Sequence, residues 1–201
     1  TYNSRCVCHT QFRGSLYSYL GAGSSGWFYD YVKDYPIAWN ATAGTLPHAM
    51  ILATWQDRIV ASEAHAVYMS RVGDPLDWDT GADETDEGRA VALTTLEETG
   101  DWVTALVPAS RDVLLIAKAR AIYALLGNPV AGGQVMPISK RIGMLNPHAW
   151  CISPEGVIYF MSYDGLYMMA GASAMPQPLL RDIDPQLLPD PDTETGTLVY
   201  D

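Results

Sequence analysis

The sequence predicts an all-β fold: a β-propeller-like array of about four antiparallel four-stranded blades, forming a small propeller or part of a larger one. Three observations lead to this prediction. A twelve-residue pattern occurs four times, Gly-containing turn signals separate short apolar runs, and 48% of the residues are hydrophobic while only 17% are charged. Such a composition is typical of an ordered domain with a sizeable core rather than of a disordered chain.

The repeated pattern opens with a short apolar run, crosses a turn and closes on an aliphatic residue followed by Tyr. Its copies cover residues 6–17, 57–68, 112–123 and 156–167. Each copy closes on a tyrosine, and a glycine follows four or five residues later. The tyrosines are Tyr17, Tyr68, Tyr123 and Tyr167, and the glycines are Gly21, Gly73, Gly127 and Gly171. A period of roughly 50 residues favours one propeller blade per repeat, so we expect these residues to occupy equivalent positions in four units.

Each copy predicts two strands, and apolar stretches on its N-terminal side supply two more. The strands directly before the later copies are expected at 49–55, 102–107 and 148–153, and those one step earlier at 36–39, 89–95 and 134–139. In the last copy, residues 154–156 and 163–165 are predicted turns, because Gly supplies the positive φ that tight hairpins need. Residues 115–126 have a helix-like run, but the other copies carry turn residues there, so a hairpin is predicted.

The predicted blades occupy residues 1–181, and an extended arm or linker rich in Pro and acidic residues follows at 182–201. A second irregular segment, residues 74–87, contains seven acidic residues and no basic one, which predicts a hydrated surface loop. Within it Asp77, Asp79 and Asp83 have part of the spacing of a calcium loop. Gly81 stands at its fifth position and Gly88 stands where a bidentate Glu belongs, so a loop without bound metal is favoured.

Charge and motif content argue against several function classes. A net charge of −11 disfavours binding to nucleic-acid phosphates. No apolar run is long enough to span a membrane, and a secretory signal is not expected. The acidic residues cluster outside the predicted strands, where they form no carboxylate pair for glycoside hydrolysis, and no Gly-x-Ser-x-Gly motif occurs. We therefore expect a protein that is not an enzyme and uses no cofactor.

Tryptophans in or beside predicted strands could form a surface for stacking sugars or could pack between blades. They stand at positions 39, 55, 102 and 150. Large aromatic side chains in strands dominate core packing, so the sequence favours packing between blades.

Two sequence elements carry a resemblance to a known family. The first reads Tyr-x-Ser-x-x-Gly-Asp-Pro-x-x-Trp over residues 68–78, and the second reads Gly-Asp-x-x-Thr-Ala-Leu over residues 100–106. Together with the sequence around them, from about residue 49 to residue 171, they resemble bacteriophage β-propeller tail proteins of the nozzle, tail-hub or packaged-DNA-stabilising kind. The resemblance implies a structural protein of the virion tail, made in the host cytoplasm, and it carries over no catalytic residue.

The resemblance also implies partners. The chain would form a homo-oligomeric ring that lines or closes the DNA conduit used in genome ejection, and would contact other tail proteins such as an adaptor, fibre or spike. DNA would pass without specific binding, since an acidic surface repels its phosphates, and no membrane partner is implied. Two alternatives stay open: a propeller that binds a host receptor or glycan and, less favoured, a propeller glycosidase.

Overall fold

The computed structural model describes residues 7–20, 26–30, 32–94, 96, 100–179 and 198–199. Its regular elements form four antiparallel four-stranded sheets and one short parallel strand pair. This confirms the predicted all-β, propeller-like array of about four four-stranded blades. Sheets 1 and 2 belong to one compact unit, and sheets 3 and 4 belong to a second. The units are called unit 1 and unit 2 below.

Sheet 1 contains β1 (Val7–Phe12), β2 (Ser15–Leu20), β3 (Gly26–Asp30) and β4 (Tyr35–Trp39), paired in chain order. The turn between β1 and β2 has positive φ at both central residues, 44° and 81°. That is the type I′ geometry that matches the twist of a hairpin. Alternating side chains put the aromatic residues on one buried face of the sheet: Phe12, Tyr17, Tyr19 and Trp39.

Sheet 2 contains β6 (Ile51–Trp55), β7 (Arg58–Glu63), β8 (Ala66–Met69) and β10 (Val91–Leu93), in the order β10-β8-β7-β6. Both faces of its three longer strands are largely buried, which is why β7 reads as a nearly continuous apolar run rather than an alternating one. The connection from β8 to β10 is the long acidic segment.

The parallel pair joins β5 (Ala43–Gly44) to β9 (Asp77–Trp78) and so attaches the acidic segment to the chain between sheets 1 and 2. Gly44 has a φ of +70°, and a Cβ at this position would lie 2.3 Å from the carbonyl carbon and oxygen of Trp78. Only glycine permits this approach of the two backbones.

Sheet 3 contains β11 (Val103–Ser110), β12 (Val113–Lys118), β13 (Ile122–Leu126) and β14 (Gln134–Ser139), paired in chain order. The helix-like run at 115–126 therefore forms the β12–β13 hairpin, as the repeat predicts. Both faces of β12 and β13 are buried, and the strands consist mainly of aliphatic side chains.

Sheet 4 contains β15 (Trp150–Ile152), β16 (Ile158–Ser162), β17 (Gly165–Met169) and β18 (Gln177–Pro178), again in chain order. The predicted turns at 154–156 and 163–165 lie at its hairpins, and Gly156 has a φ of +82°. Burial alternates strictly along β16 and β17, so this sheet has one core face and one open face.

Each unit has its own core. In unit 1, the aromatic face of sheet 1 packs with Leu52, Ile59 and Ala61 of sheet 2 and with Trp78 of β9. In unit 2, aliphatic residues of sheet 3 pack with the core face of sheet 4, where Phe160 and Tyr167 stack at a centroid distance of 5.7 Å. Face-to-face packing of sheets is the arrangement by which propeller-like repeats bury a continuous core.

The grouping of strands into blades differs from the expectation. The stretches 36–39, 89–95 and 134–139 were expected to begin the following blades, but they fall in β4, β10 and β14, which pair with the strands before them. Each blade boundary therefore lies one strand later. Strand pairing depends on long-range contacts, and an apolar stretch between two repeats is equally compatible with either neighbour.

The four repeat tyrosines do not all lie on equivalent strands. Tyr68, Tyr123 and Tyr167 lie on the third strands of their sheets, whereas Tyr17 lies on the second strand of sheet 1 and departs from the expected equivalence. Tyr17 instead pairs across β2 and β3 with Phe28, on which its ring stacks at 5.2 Å. The same kind of pair joins Phe160 and Tyr167, with the two ring types exchanged between the strands.

The predicted glycines have the backbone geometry of chain reversals where they are described. The φ angles are 76° at Gly73, 74° at Gly127 and 112° at Gly171. Gly21 lies outside the described residues. Of the predicted arm at 182–201, only residues 198 and 199 are described, and the amide of Leu198 donates to the carbonyl of His148 at 2.9 Å.

Candidate functional site

The acidic segment between β8 and β10 is built from successive aspartate turns. In each turn an aspartate Oδ1 accepts a hydrogen bond from the backbone amide two residues later, at 2.8–3.0 Å. The aspartates are Asp74, Asp77, Asp79, Asp83 and Asp86. Asp and Asn favour such turns because their short side chains reach the local backbone. The carboxylates are thus held in place by the segment's own backbone.

Arg71 adds a positive charge to the base of this segment. Its guanidinium lies 2.5 Å from a carboxylate oxygen of Asp86 and 3.8 Å from one of Asp77, with about two fifths of the Arg71 side chain exposed. Trp78 is buried, with 4% of its surface exposed, and its indole N–H donates to the carbonyl of Pro75 at 2.9 Å. The prediction of a plain hydrated loop was therefore wrong for residues 77 and 78, which form β9 and pack into unit 1 through Trp78.

A fully buried arginine, Arg58, holds the two ends of the acidic segment together. Arg58 donates to the carbonyl oxygens of Ser70 at 2.8 Å, Arg89 at 2.5 Å and Glu87 at 3.1 Å. Five N–H donors in a planar fork suit this bridging role, which a lysine cannot reproduce. Burial lowers the pKa of the Arg58 guanidinium, which still binds three backbone carbonyls. Arg58 therefore fixes both ends of the acidic segment to β7.

Hydrogen bonds favour the charged form of the Asp83 carboxylate. The pKa of Asp83 is lowered, because its oxygen accepts hydrogen bonds from the amide and the hydroxyl of Thr85. Glu84 and Glu87 are exposed at the same edge. Near neutral pH this edge of unit 1 therefore presents a fixed negative surface.

The candidate calcium residues do not converge. Asp77 lies in β9, Asp79 follows it and Asp83 stands at the exposed tip, and each directs an oxygen to its own turn. Within the part of the chain that the structure describes, no group of three or more His, Cys, Asp or Glu side chains is placed to hold a metal ion. The absence of a metal in the working protein stays a prediction.

The predicted tryptophan set divides between core and surface. Trp39 and Trp55 are buried and Trp150 is half-buried, which fits the packing interpretation. Trp102, just before β11, is 56% exposed, and Trp27, which was not in the set, is 42% exposed. Packing therefore accounts for three of the four predicted tryptophans.

Sheet 1 has one face that lies outside the core of unit 1, named the open face of sheet 1. Cross-strand pairing aligns its side chains in two rows, which are His9, Ser18, Trp27 and Ala38, and Gln11, Leu16, Tyr29 and Pro36. Five of the eight are exposed and three are half-buried, and none is an acidic or basic residue other than His9. Charged residues stand in the adjoining turns, among them Arg13, Lys33 and Asp34, and the Asp34 carboxylate accepts a hydrogen bond from the Tyr29 hydroxyl.

Sheet 4 has a comparable open face, opposite the core of unit 2. Its rows are Cys151, Tyr159, Met168 and Gln177, followed by Met161 and Leu166. Gln177 is exposed and the other five are half-buried. This face also carries no charged side chain, although the whole chain has a net charge of −11.

Comparison with known proteins supports the fold and goes no further. No protein-family model matches the sequence, and no curated protein matches it. Two solved structures of the extracellular domain of a Bacteroides thetaiotaomicron protein, BT4673, assigned as a hybrid two-component system and as a one-component system, are similar at 12% identity. Their TM-scores are 0.60 and 0.59, and each alignment covers 88% of this chain.

A third solved structure, a protein of unknown function from Bacteroides thetaiotaomicron, is similar at 7% identity with a TM-score of 0.55 over 86% of this chain. The chain spans 22% of the length of the first two structures and 42% of the third. Among the described residues, no helix is sufficiently long and apolar to cross a membrane.

Sequence reasoning missed the two arginines that organise the acidic segment. Arg58 opens an apolar strand and Arg71 stands three residues before the first acid. The available signal was that β7 begins with a charged residue inside an otherwise buried run, because a buried arginine needs several acceptors. The acceptors of Arg58 are backbone carbonyls, whose positions the sequence does not show.

Proposed function

We propose that this chain is a structural, non-enzymatic component of a bacteriophage tail. It forms part of a homo-oligomeric ring that lines or closes the DNA conduit and contacts other tail proteins. The proposal is supported by the resemblance of residues 49–171 to phage tail propellers and by the array of four-stranded sheets. The solved structures with a similar fold bear on architecture alone and favour no particular function.

The observation that carries the proposal is the fixed acidic edge of unit 1. A conduit has to let DNA slide, and bound phosphates would hold it, so its wall should repel rather than attract the backbone. Five aspartate turns and Arg71 keep the carboxylates at defined positions, so the repulsion does not depend on flexible side chains. Such a wall would repel the DNA phosphates electrostatically without binding them.

The location is tested in the phage that encodes this chain. Mass spectrometry of purified virions should detect the chain, and gold labelling of a tagged copy should decorate the tail. A chain made during infection but absent from purified virions would reject the tail function.

The role of the acidic edge is tested by reversing charges that take no part in the aspartate turns. Glu84→Lys with Glu87→Lys should slow or stop DNA ejection from virions at low salt, because added cations bind phosphates. Asp112→Lys with Glu155→Lys changes the net charge equally in unit 2 and serves as the matched control. Equal ejection by both double variants would remove the acidic edge from the mechanism.

Exposed tryptophans favour a second candidate, a propeller that binds a host receptor or glycan. Trp27 and Trp102 are 42% and 56% exposed, and exposed aromatic rings are enriched at recognition surfaces. Binding on a glycan array that is lost on Trp102→Ala would favour this candidate over the conduit. Release of sugar products from a polysaccharide would instead favour the glycosidase alternative.

A further inference from the structure

We propose that two copies of this chain dock head to tail, with the open face of sheet 1 in one copy packed on the open face of sheet 4 in the other. The inference rests on the proposed function in one respect, since it identifies the surfaces by which a ring would assemble. It commits to a second copy of this chain as the occupant of both faces.

The four sheets differ in how many of their faces are buried. Sheets 2 and 3 bury both faces of their long strands, whereas sheets 1 and 4 bury one face each. In repeat architectures a sheet contacts its neighbours on both sides, and terminal repeats that meet solvent usually carry a polar outer face. Here the open faces carry Trp27, Tyr29, Leu166 and Met168 instead, which is the composition of an interface.

The proposed contact resembles the packing of one sheet on another inside each unit. In the core of unit 1, aromatic side chains of sheet 1 pack against smaller aliphatic ones of sheet 2. The proposed contact has the same character, because it places Trp27 and Tyr29 against Met161, Leu166 and Met168. Methionine is flexible and its sulfur contacts aromatic rings favourably, so it adapts to large rings.

Charge also restricts where a second copy can dock. Two copies with a net charge of −11 repel each other, so a stable contact requires faces with few acidic residues. None of the strand residues in the rows of the two open faces is acidic, and the carboxylate of Asp34, at the border of the open face of sheet 1, accepts a hydrogen bond from the Tyr29 hydroxyl. These two faces are where a second copy approaches with least repulsion.

The contact is heterologous, since different faces meet. A head-to-tail contact closes into a ring when the rotation between copies permits it. In a closed ring each copy uses both of its open faces, one on each side, so every open face becomes covered.

The first test is the mass in solution by analytical ultracentrifugation. We expect twice the 22.0 kDa of one chain, or a larger closed multiple of it, at micromolar concentration. Trp27→Glu and Met168→Glu, each alone, should give monomers because a charge is buried without a partner. Val32→Glu, at a turn residue of sheet 1 that is 93% exposed, should leave the mass unchanged. A wild-type monomer would overturn the proposal.

Mixing the two variants separates this contact from other modes of assembly. In a mixture, Trp27→Glu and Met168→Glu chains retain one unaltered pair of faces between them, so a heterodimer should form although neither variant self-associates. If sheet 1 instead met sheet 1, Met168→Glu would still dimerise by itself. Circular dichroism and thermal unfolding of each variant establish that it is folded, and an unfolded variant is replaced by Tyr29→Lys or Leu166→Lys.

The outcome is independent of the location in the tail. A chain that self-associates through these faces but is absent from virions would support the docking and reject the tail function. If the chain is found in the tail but neither substitution changes its assembly, the tail function would be supported and the docking rejected.

Discussion

Unit 1 and unit 2 contain the same number of four-stranded sheets but are stabilised differently. The core of unit 1 is aromatic. The ring centroid of Trp39 lies 5.0 Å from that of Tyr17 and 6.0 Å from that of Trp78. It is supplemented by Arg58, which binds three backbone carbonyls. The core of unit 2 is mainly aliphatic, with one stacked pair, Phe160 and Tyr167.

This difference follows from the connections. Unit 1 contains the long acidic segment between β8 and β10, whose many backbone polar groups need partners that short strands cannot supply. Arginine side chains and aspartate turns provide those partners. Unit 2 joins β12 to β13 and β16 to β17 by short turns, and its core consists mainly of apolar side chains. The surface proposed to act on DNA lies in the unit that depends on polar anchors.

The largest effect is expected in the core of unit 2. Phe160→Ala should lower the free energy of unfolding by about 4 kcal/mol, because it removes a fully buried ring and leaves a cavity. Denaturant unfolding measures this loss. Met136→Ala, at a 46% exposed position of β14, is the matched control and should change stability by less than about 0.5 kcal/mol. Similar losses for both variants would contradict the apolar account of unit 2.

In unit 1 the polar anchor should dominate instead. Arg58→Met retains the apolar stem but removes the donor of the Ser70 and Arg89 carbonyls, while the Glu87 carbonyl keeps only the Asn128 amide at 3.1 Å, so we expect a loss of about 3 kcal/mol. Proteolysis within residues 71–90 should accelerate more than proteolysis elsewhere, because the segment loses its anchor. Arg58→Lys keeps the charge but not the planar fork and should recover only part of the stability. Full recovery by lysine would show that charge alone suffices.

The sequence predicted the strands and hairpins well because their signals are local. Turn glycines such as Gly14 and Gly165 adjoin apolar runs, and the aligned copies identify a hairpin at 115–126 against its helix-like pattern. The first blade boundary was missed because the turn between β3 and β4, from Asp30 to Tyr35, contains neither Gly nor Pro, and Asp34 adopts a positive φ of 58° instead. Aspartate is a weaker turn signal than glycine, because it needs its side chain to bond the local backbone, as Asp30 does with the amide of Val32.

The sequence predicted that the candidate site is acidic, but not which contacts hold it in place. Clustered acids indicated a negative surface, which the structure places on unit 1. Arg58 acts through backbone carbonyls that are distant in sequence, and the two open faces emerge only when strand pairing assigns each side chain to a side. Both features depend on register, which a one-residue shift would invert. Tertiary pairing, rather than residue type, determines them.

The smallest effect concerns the tyrosines that end the first and last copies of the repeat. Burial, together with the negative charges of Asp74 and Asp30, raises the pKa of Tyr17 to about 12. Burial and Asp164 also raise the pKa of Tyr167. The neutral form is favoured in the folded state, so the unfolded chain releases its proton first as the pH rises above the ordinary tyrosine value of about 10.

Stability contributed by neutral Tyr17 is therefore complete below about pH 10 and is lost as the pH rises towards about 12. Because the ring is only partly shielded, solvent screening should limit this loss to about 1 kcal/mol. Comparing unfolding of the wild type with Tyr17→Phe across this window isolates the effect, since phenylalanine cannot ionise. Tyr167→Phe is the control in unit 2 and should flatten the alkaline decline less, because its main partner is the single carboxylate of Asp164. An equal response of the two variants would show that the acidic segment of unit 1 does not act on its aromatic core.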